Sequence, residues 1–167
     1  IIIAYRHGTR WGLFSALAFS LIQGLTGINS ILYGATLIAV LAIIGLDYLL
    51  AFTVLGLGGV FRKPGRSQVA ALMMGTLLTC VLRYVAHVVS GATVWAEFNY
   101  TELPTVLYSL VYNATYMIPE TIVTLAAAYY IGSMLDLSGE AITRLSPAKR
   151  RPDMAVLLRG LSKLSLA

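Results

Sequence analysis

The sequence has little charge: only 11% of its 167 residues are Asp, Glu, Lys or Arg, while 58% are hydrophobic. Soluble domains carry about 25% charged residues, so this chain lacks the polar surface that a water-soluble fold needs. Its mean hydropathy of +0.80 points the same way. The composition excludes an ordinary soluble domain and indicates a protein that lies in lipid.

Cysteine and catalytic motifs are also scarce. Cys80 is the only cysteine, which excludes an internal disulfide and a cysteine metal cluster. His7 and His87 are expected at different depths, so we predict no metal site. Neither a G-x-x-x-x-G-K-[ST] phosphate loop nor a G-x-S-x-G motif occurs. We therefore predict a protein that is not an enzyme and holds no cofactor.

Four apolar stretches are each long enough to cross a membrane, which takes about 20 residues: 11–28, 35–60, 69–90 and 104–134. None has a continuous charged face, which argues against a soluble four-helix bundle. We predict an all-α, polytopic membrane helix bundle over residues 1–135, followed by a basic tail over residues 136–167. The tail has helical apolar spacing beyond residue 152, which predicts a short amphipathic helix on the inner leaflet.

Basic residues cluster on one side of the predicted bundle. Eleven of the twelve Lys and Arg residues precede the first span, lie between the second and third, or follow the fourth. The connections near residues 29–34 and 91–103 contain neither Lys nor Arg. The positive-inside rule makes the basic side cytoplasmic. We expect a multi-pass protein of the cell membrane with a cytoplasmic C-terminus, and its charge of +5 requires no nucleic acid.

Charged residues inside the predicted spans suggest a site. A charge at the centre of a span costs about 2.5–3.5 kcal/mol, so such residues usually face a cavity and pair with one another. Asp47 and Arg83 lie at depths that differ by about one helical turn, and we expect them to pair. The pair would serve a binding site or only fix helix packing. Glu120 has no partner that the sequence identifies.

Further polar and aromatic residues fall near the same depth. His87 and Gly91 lie one and two turns from Arg83 on one helix face, with Trp95 beyond them. The fourth span carries a polar stripe flanked by two tyrosines: Ser109, Asn113, Tyr116 and Glu120, with Tyr108 and Tyr112. Aromatic walls with a few placed polar groups are typical of a small-molecule site, here open to the exterior. Trp95 and the tyrosines also fit interfacial anchors.

Several segments resemble the thiamine-specific S-components of energy-coupling-factor (ECF) transporters. The resemblance covers about residues 2–133, and the most specific segments are LRYVAHVVSG at 82–91, followed by Trp95, and LYSLVYNATYMIP at 107–119. In that family a six-helix bundle binds thiamine in its outer half and docks on a membrane scaffold subunit with two ATPase subunits. The resemblance implies that the first helix and most of the second are missing here. The apolar start, residues 1–5, also leads us to expect an N-terminally incomplete chain.

The resemblance implies eight ligand-binding residues: Asp47, Tyr48, Arg83, His87, Gly91, Trp95, Tyr108 and Asn113. Asp47 stands where the family has an acidic residue that hydrogen-bonds the ligand, and Arg83 stands where it has Lys or Arg. We therefore expect the substrate-binding subunit of a thiamine importer. One alternative is a self-sufficient proton-coupled carrier with Asp47, His87 or Glu120 as relays. Another is an intramembrane enzyme with His87 as general base, for which the sequence offers no convincing nucleophile.

Overall fold

The computed structural model describes residues 1–145, and nearly all of its regular structure is helical. The helices are α1 (Ile2–His7), α2 (Thr9–Thr26), α3 (Ile28–Ile31), α4 (Leu37–Ile43), α5 (Ala51–Thr53), α6 (Gln68–Thr93) and α7 (Thr105–Met134). A π-helical segment (Ile44–Leu50) joins α4 to α5, and short 3-10 helices cover Val54–Gly59 and Ala96–Phe98. The predicted all-α class is confirmed. The predicted amphipathic helix of the tail lies outside the described residues.

The helices have the surface of a membrane protein. Among residues 1–145, Leu37–Gly59 and Gln68–Thr93 are long and apolar enough to cross a bilayer. Only 11% of the most apolar window of Leu37–Gly59 is buried inside the protein, so this stretch is not a soluble core helix. Large apolar side chains such as Phe14 and Ile38 project outward from α2 and α4. Extensive apolar surface of this kind is stable in lipid rather than in water, and the fold is a membrane helix bundle.

The four predicted spans all coincide with helical stretches, and their ends shift by a few residues at most. The second stretch differs in kind, because Leu37–Gly59 is a composite helix made of α4, the π-helical segment, α5 and a 3-10 helix.

Glycines in the last part of this composite helix let neighbouring backbones touch, as is common in membrane bundles. A Cβ on Gly56 would lie 2.4 Å from the Leu13 Cα of α2, and one on Gly59 would lie 2.1 Å from the Ala4 oxygen of α1.

A two-stranded hairpin follows α7 and was not expected. β1 (Leu135–Asp136) pairs antiparallel with β2 (Thr143–Arg144). Gln68, at the start of α6, fixes this region: its Nε2 donates to the Leu135 oxygen at 2.6 Å, and its Oε1 accepts from the Leu137 N–H at 2.9 Å. The predicted boundary between bundle and tail, at residues 135 and 136, falls inside β1. The first tail residues thus pack against the bundle.

Candidate functional site

A cavity of about 640 Å³ lies between the composite helix, α6 and α7, at the end where the loops 27–36 and 94–104 meet. Its walls are mostly aromatic and polar: Ser30, Tyr33, Ile43, Asp47, Tyr48, His87, Gly91, Trp95, Phe98, Tyr100, Tyr108, Ser109, Tyr112, Asn113 and Tyr116. Among residues 1–145, Asp47 is the only Asp or Glu in this lining, and no Lys or Arg of that range belongs to it. The cavity therefore presents one carboxylate amid π faces.

The π-helical segment positions Asp47. In a π-helix the hydrogen bonds run over five residues, and the Ala51 N–H accordingly bonds the Leu46 oxygen. The wide turn leaves the Tyr48 carbonyl accessible, and Ser20 of α2 donates its hydroxyl to this oxygen at 3.0 Å. Because isolated π turns recur at functional sites, the placement of Asp47 in the middle of this segment marks it as a functional candidate.

Three donors surround the Asp47 carboxylate. Ser90 Oγ and Trp95 Nε1 donate to Oδ2 at 2.7 and 3.0 Å, and His87 Nδ1 lies 3.1 Å from Oδ1. A carboxylate only accepts, so Nδ1 carries the proton and Nε2 is an acceptor in the neutral ring. The side chains of His87 and Asp47 are only 13% and 16% exposed. These bonds offset the cost of placing a charge in a low-dielectric interior.

A hydrogen-bond network on α7 supports the opposite wall. Asn113 Nδ2 donates to the Ser109 oxygen at 2.8 Å and to the His87 oxygen at 3.3 Å, and the Tyr116 hydroxyl donates to Asn113 Oδ1. Ser109 Oγ donates to the Val88 oxygen at 2.9 Å. Since both the donor and the acceptor of Asn113 are used within the protein, its amide fixes α7 against α6 at the level of His87.

Aromatic rings form the rest of the walls. Tyr108 and Tyr112 stack with centroids 5.8 Å apart, and Tyr116 meets the His87 ring edge-on at 6.1 Å. Trp95 contacts Phe98 at 5.4 Å on the facing side. The cavity has the aromatic faces that bind flat or cationic ligands.

The predicted pairing of Asp47 with Arg83 is wrong. Arg83 Nη1 instead pairs with Glu120 Oε1 of α7, and the guanidinium lies 4.8 Å over the Phe52 ring. Arg83 does not line the cavity; it lies one turn below His87, against a second hollow. Depth along the spans allowed either pairing, and in the structure Glu120 is the partner of Arg83 while Asp47 contacts His87. Glu120, left without a partner by the sequence, has one.

Seven of the eight predicted binding residues line the cavity together: Asp47, Tyr48, His87, Gly91, Trp95, Tyr108 and Asn113. Sequence reasoning did not identify Ser90, which is fully buried behind Asp47 and donates to it. Ser90 follows His87 by three residues on a predicted helix, and this spacing could have identified it as a neighbour of His87. Sequence reasoning also did not identify Ser30, which lies in the four-residue helix α3, or Tyr33, which follows that helix. Neither residue belongs to a periodic pattern. Within residues 1–145 no group of three His, Cys, Asp or Glu side chains could hold a metal ion.

These features define the class of the protein: an α-helical membrane protein with an aromatic cavity that is lined by one carboxylate and has the volume of a small-molecule site. Comparison with known proteins then places it. The chain belongs to the thiamine transporter protein (Thia_YuaJ) family, whose sequence model matches residues 1–136. This confirms the resemblance seen in the sequence.

One curated relative is the thiamine transporter ThiT of Bacillus subtilis (strain 168), which is 36% identical over 131 residues. The match covers 73% of this chain and 65% of the relative, so the chain spans less than two thirds of that protein. No solved structure matches the chain. Family and relative are both described as transporters, and the prediction that the chain is not an enzyme is thereby confirmed.

Proposed function

We propose that this chain binds thiamine from the exterior as the substrate-binding membrane subunit of an ECF-type importer. The observation that carries the proposal is the cavity itself, with the Asp47 carboxylate as its only formal charge and aromatic rings around it. Membership of a thiamine transporter family supports the choice of ligand.

The charge of the cavity complements that of thiamine. Thiamine has a permanently cationic thiazolium ring and a neutral aminopyrimidine ring. A cation over an aromatic face gains about 0.5–2 kcal/mol, more when it is desolvated, and Tyr108 and Trp95 offer such faces in the lining. Asp47 supplies the balancing negative charge. Among the described residues of the lining, an anionic ligand would meet this carboxylate and no Lys or Arg, so the site favours cations.

The size and the hydrogen-bonding groups of the cavity fit as well. Ligand sites usually measure about 300–1,000 Å³, and this cavity measures about 640 Å³. His87 donates from Nδ1 to Asp47, which leaves Nε2 as an acceptor at the cavity wall for a donor such as an amino group. Within the described part of the chain, Nε2 has no other hydrogen-bond partner.

The import role extends the binding role to partner chains. The sequence has no phosphate loop of the ATPase kind. In the proposed importer, a scaffold subunit and two ATPase subunits, which the resemblance to ECF transporters implies, therefore supply the energy. In this arrangement the chain is a multi-pass protein of the cell membrane whose cavity opens outward and whose C-terminus is cytoplasmic. The distribution of Lys and Arg supports this orientation.

Calorimetry of the purified full-length protein against thiamine, riboflavin and biotin tests the ligand. We expect saturable one-to-one binding of thiamine and no heat of binding with the other two vitamins. Equal or tighter binding of riboflavin or biotin, or the absence of thiamine binding by the well-folded protein, would contradict the proposal.

A second candidate is a proton-coupled carrier that works alone. The buried contact between Asp47 and His87 favours it, because such pairs inside membrane bundles act as proton relays. Proteoliposomes that contain only this chain distinguish the two. Accumulation of radiolabelled thiamine driven by a pH gradient would favour the carrier, whereas binding without accumulation favours the subunit of a larger importer.

A further inference from the structure

The second ion pair of the bundle lies directly below the cavity. Arg83 precedes His87 by four residues on α6, and Glu120 follows Tyr116 by four residues on α7. His87 and Tyr116 line the cavity, so the pair of Arg83 and Glu120 occupies the next turn of both helices. Arg83 is 8% exposed, and Glu120 has 40% of its side chain exposed toward the second hollow.

Among the described residues, Glu120 is the one that fixes the guanidinium by a hydrogen bond. Within residues 1–145, Arg83 Nη1 bonds Glu120 Oε1, while the buried Arg83 Nε has no partner. The guanidinium also lies 4.8 Å over the Phe52 ring. A buried arginine with a single carboxylate partner has to find another acceptor when that partner is removed.

Asp47 is a carboxylate about one helical turn from Arg83. Its Oδ1 lies 3.1 Å from Nδ1 of His87, which follows Arg83 by four residues on α6. A long arginine side chain can span such a turn. Asp47 contacts His87, and Arg83 pairs with Glu120. These two pairs keep the Asp47 carboxylate apart from the Arg83 guanidinium, although their similar depths in the sequence would allow them to pair.

We propose that Glu120 is a specificity-determining residue: by pairing with Arg83 it keeps the guanidinium away from Asp47, so that Asp47 remains free to balance a cationic ligand. The inference rests on the proposed function and deepens it. When Glu120 loses its charge, Arg83 competes with the ligand for Asp47 and repels the ligand's positive ring. Removal of the Arg83 charge in the same protein abolishes this competition.

Thiamine binding by four full-length proteins tests the inference: the unmodified chain, Glu120→Gln, the double variant Glu120→Gln with Arg83→Gln, and Glu102→Gln. We expect Glu120→Gln to weaken binding at least about tenfold, or about 1.4 kcal/mol. The double variant should bind within about threefold of the unmodified chain. Glu102→Gln, which removes an exposed carboxylate of the loop 94–104, is the matched control and should stay within the same range.

An uncharged isostere of thiamine, with carbon in place of the thiazolium nitrogen, adds a second readout. Glu120→Gln should weaken thiamine more than it weakens the isostere, because the competition is electrostatic. A merely structural defect would weaken both alike, and the double variant would not recover. Glu120→Asp, which keeps the charge on a shorter side chain, should give a smaller loss and replaces Glu120→Gln if that variant does not fold.

Three results would overturn the inference: unchanged binding by Glu120→Gln, equal weakness of the single and double variants, or equal losses for thiamine and its isostere. Failure of the unmodified chain to bind thiamine is a different outcome. It would contradict the proposed function and would leave the behaviour of the variants without a reference.

Discussion

At the scale of single residues, the site depends on how one carboxylate is positioned by its hydrogen-bond donors. Asp47 accepts from Ser90 and Trp95 and from the His87 ring. Hydrogen bonds to charged groups each contribute about 1.5–3 kcal/mol. The three donors therefore hold the Asp47 carboxylate in one rotamer at the cavity wall, where the proposed cationic ligand would meet it.

Asp47→Asn tests this charge directly. The amide keeps the shape of the side chain but removes the negative charge and places an NH₂ group among donors. We expect thiamine affinity to fall at least about 100-fold, or about 2.7 kcal/mol, as measured by calorimetry. Asp136→Asn, the same change in the hairpin outside the cavity, is the control and should bind normally. Retained tight binding by Asp47→Asn would refute the role of Asp47.

The sequence predicted most residues of the cavity because polar residues are rare in apolar spans and the helical period places them on shared faces. It did not predict which charges pair. Asp47 and Glu120 are both within one or two turns of Arg83 in depth, and the structure pairs Arg83 with Glu120 and His87 with Asp47. Which carboxylate reaches Arg83 follows from the packing of α6, α7 and the π-helical segment, which no local pattern encodes.

At the scale of elements, the contact between α6 and α7 determines the shape of the cavity. Gly91 makes this contact close: a Cβ there would lie 2.2 Å from Ser109 Oγ and 3.2 Å from Asn113 Nδ2. The same two side chains hold the carbonyls of Val88 and His87. Gly91, predicted as a ligand contact, is therefore also required for helix packing.

Gly91→Ala should separate the two helices or displace Ser109. Overpacking of this kind costs about 1–3 kcal/mol, so we expect the midpoint of thermal unfolding to fall by at least about 2 °C and thiamine binding to weaken. The control is Gly24→Ala on α2, where the new Cβ would meet only the Tyr48 side chain at an ordinary 3.9 Å. Equal stability of the two variants would show that the close approach is not needed.

Hydropathy predicted where the long helices lie, but it did not predict that the helix around Asp47 is a π-helix. The lengths of α6 and α7 agree with the apolar stretches because burial in lipid requires each backbone group to bond within its own helix. The π-helical segment Ile44–Leu50 shifts those bonds by one residue, and this shift is stabilised by a partner outside the segment, the Ser20 hydroxyl on the Tyr48 oxygen. A local pattern therefore cannot reveal it.

At the scale of the whole molecule, the two ends of the bundle differ in charge and in shape. The cavity lies at the end with the loops 27–36 and 94–104, where the sequence has no Lys or Arg. The opposite end carries Arg62, Lys63 and Arg66 between the composite helix and α6. If the cavity faces the exterior, the basic end faces the cytoplasm. One experiment on orientation therefore tests both predictions.

Labelling of single cysteines measures that orientation, and the chain suits it because Cys80 is its only cysteine and is buried. In a Cys80→Ser background, Glu102→Cys should react with a membrane-impermeant maleimide in intact cells, since it lies in the loop beside the cavity. Arg66→Cys should react only after the membrane is permeabilised. Both positions are exposed, so a difference between them reports the side of the membrane and not burial. The reverse pattern would place the cavity inside the cell, where it could not collect a vitamin from the exterior, and the importer hypothesis would fail with it.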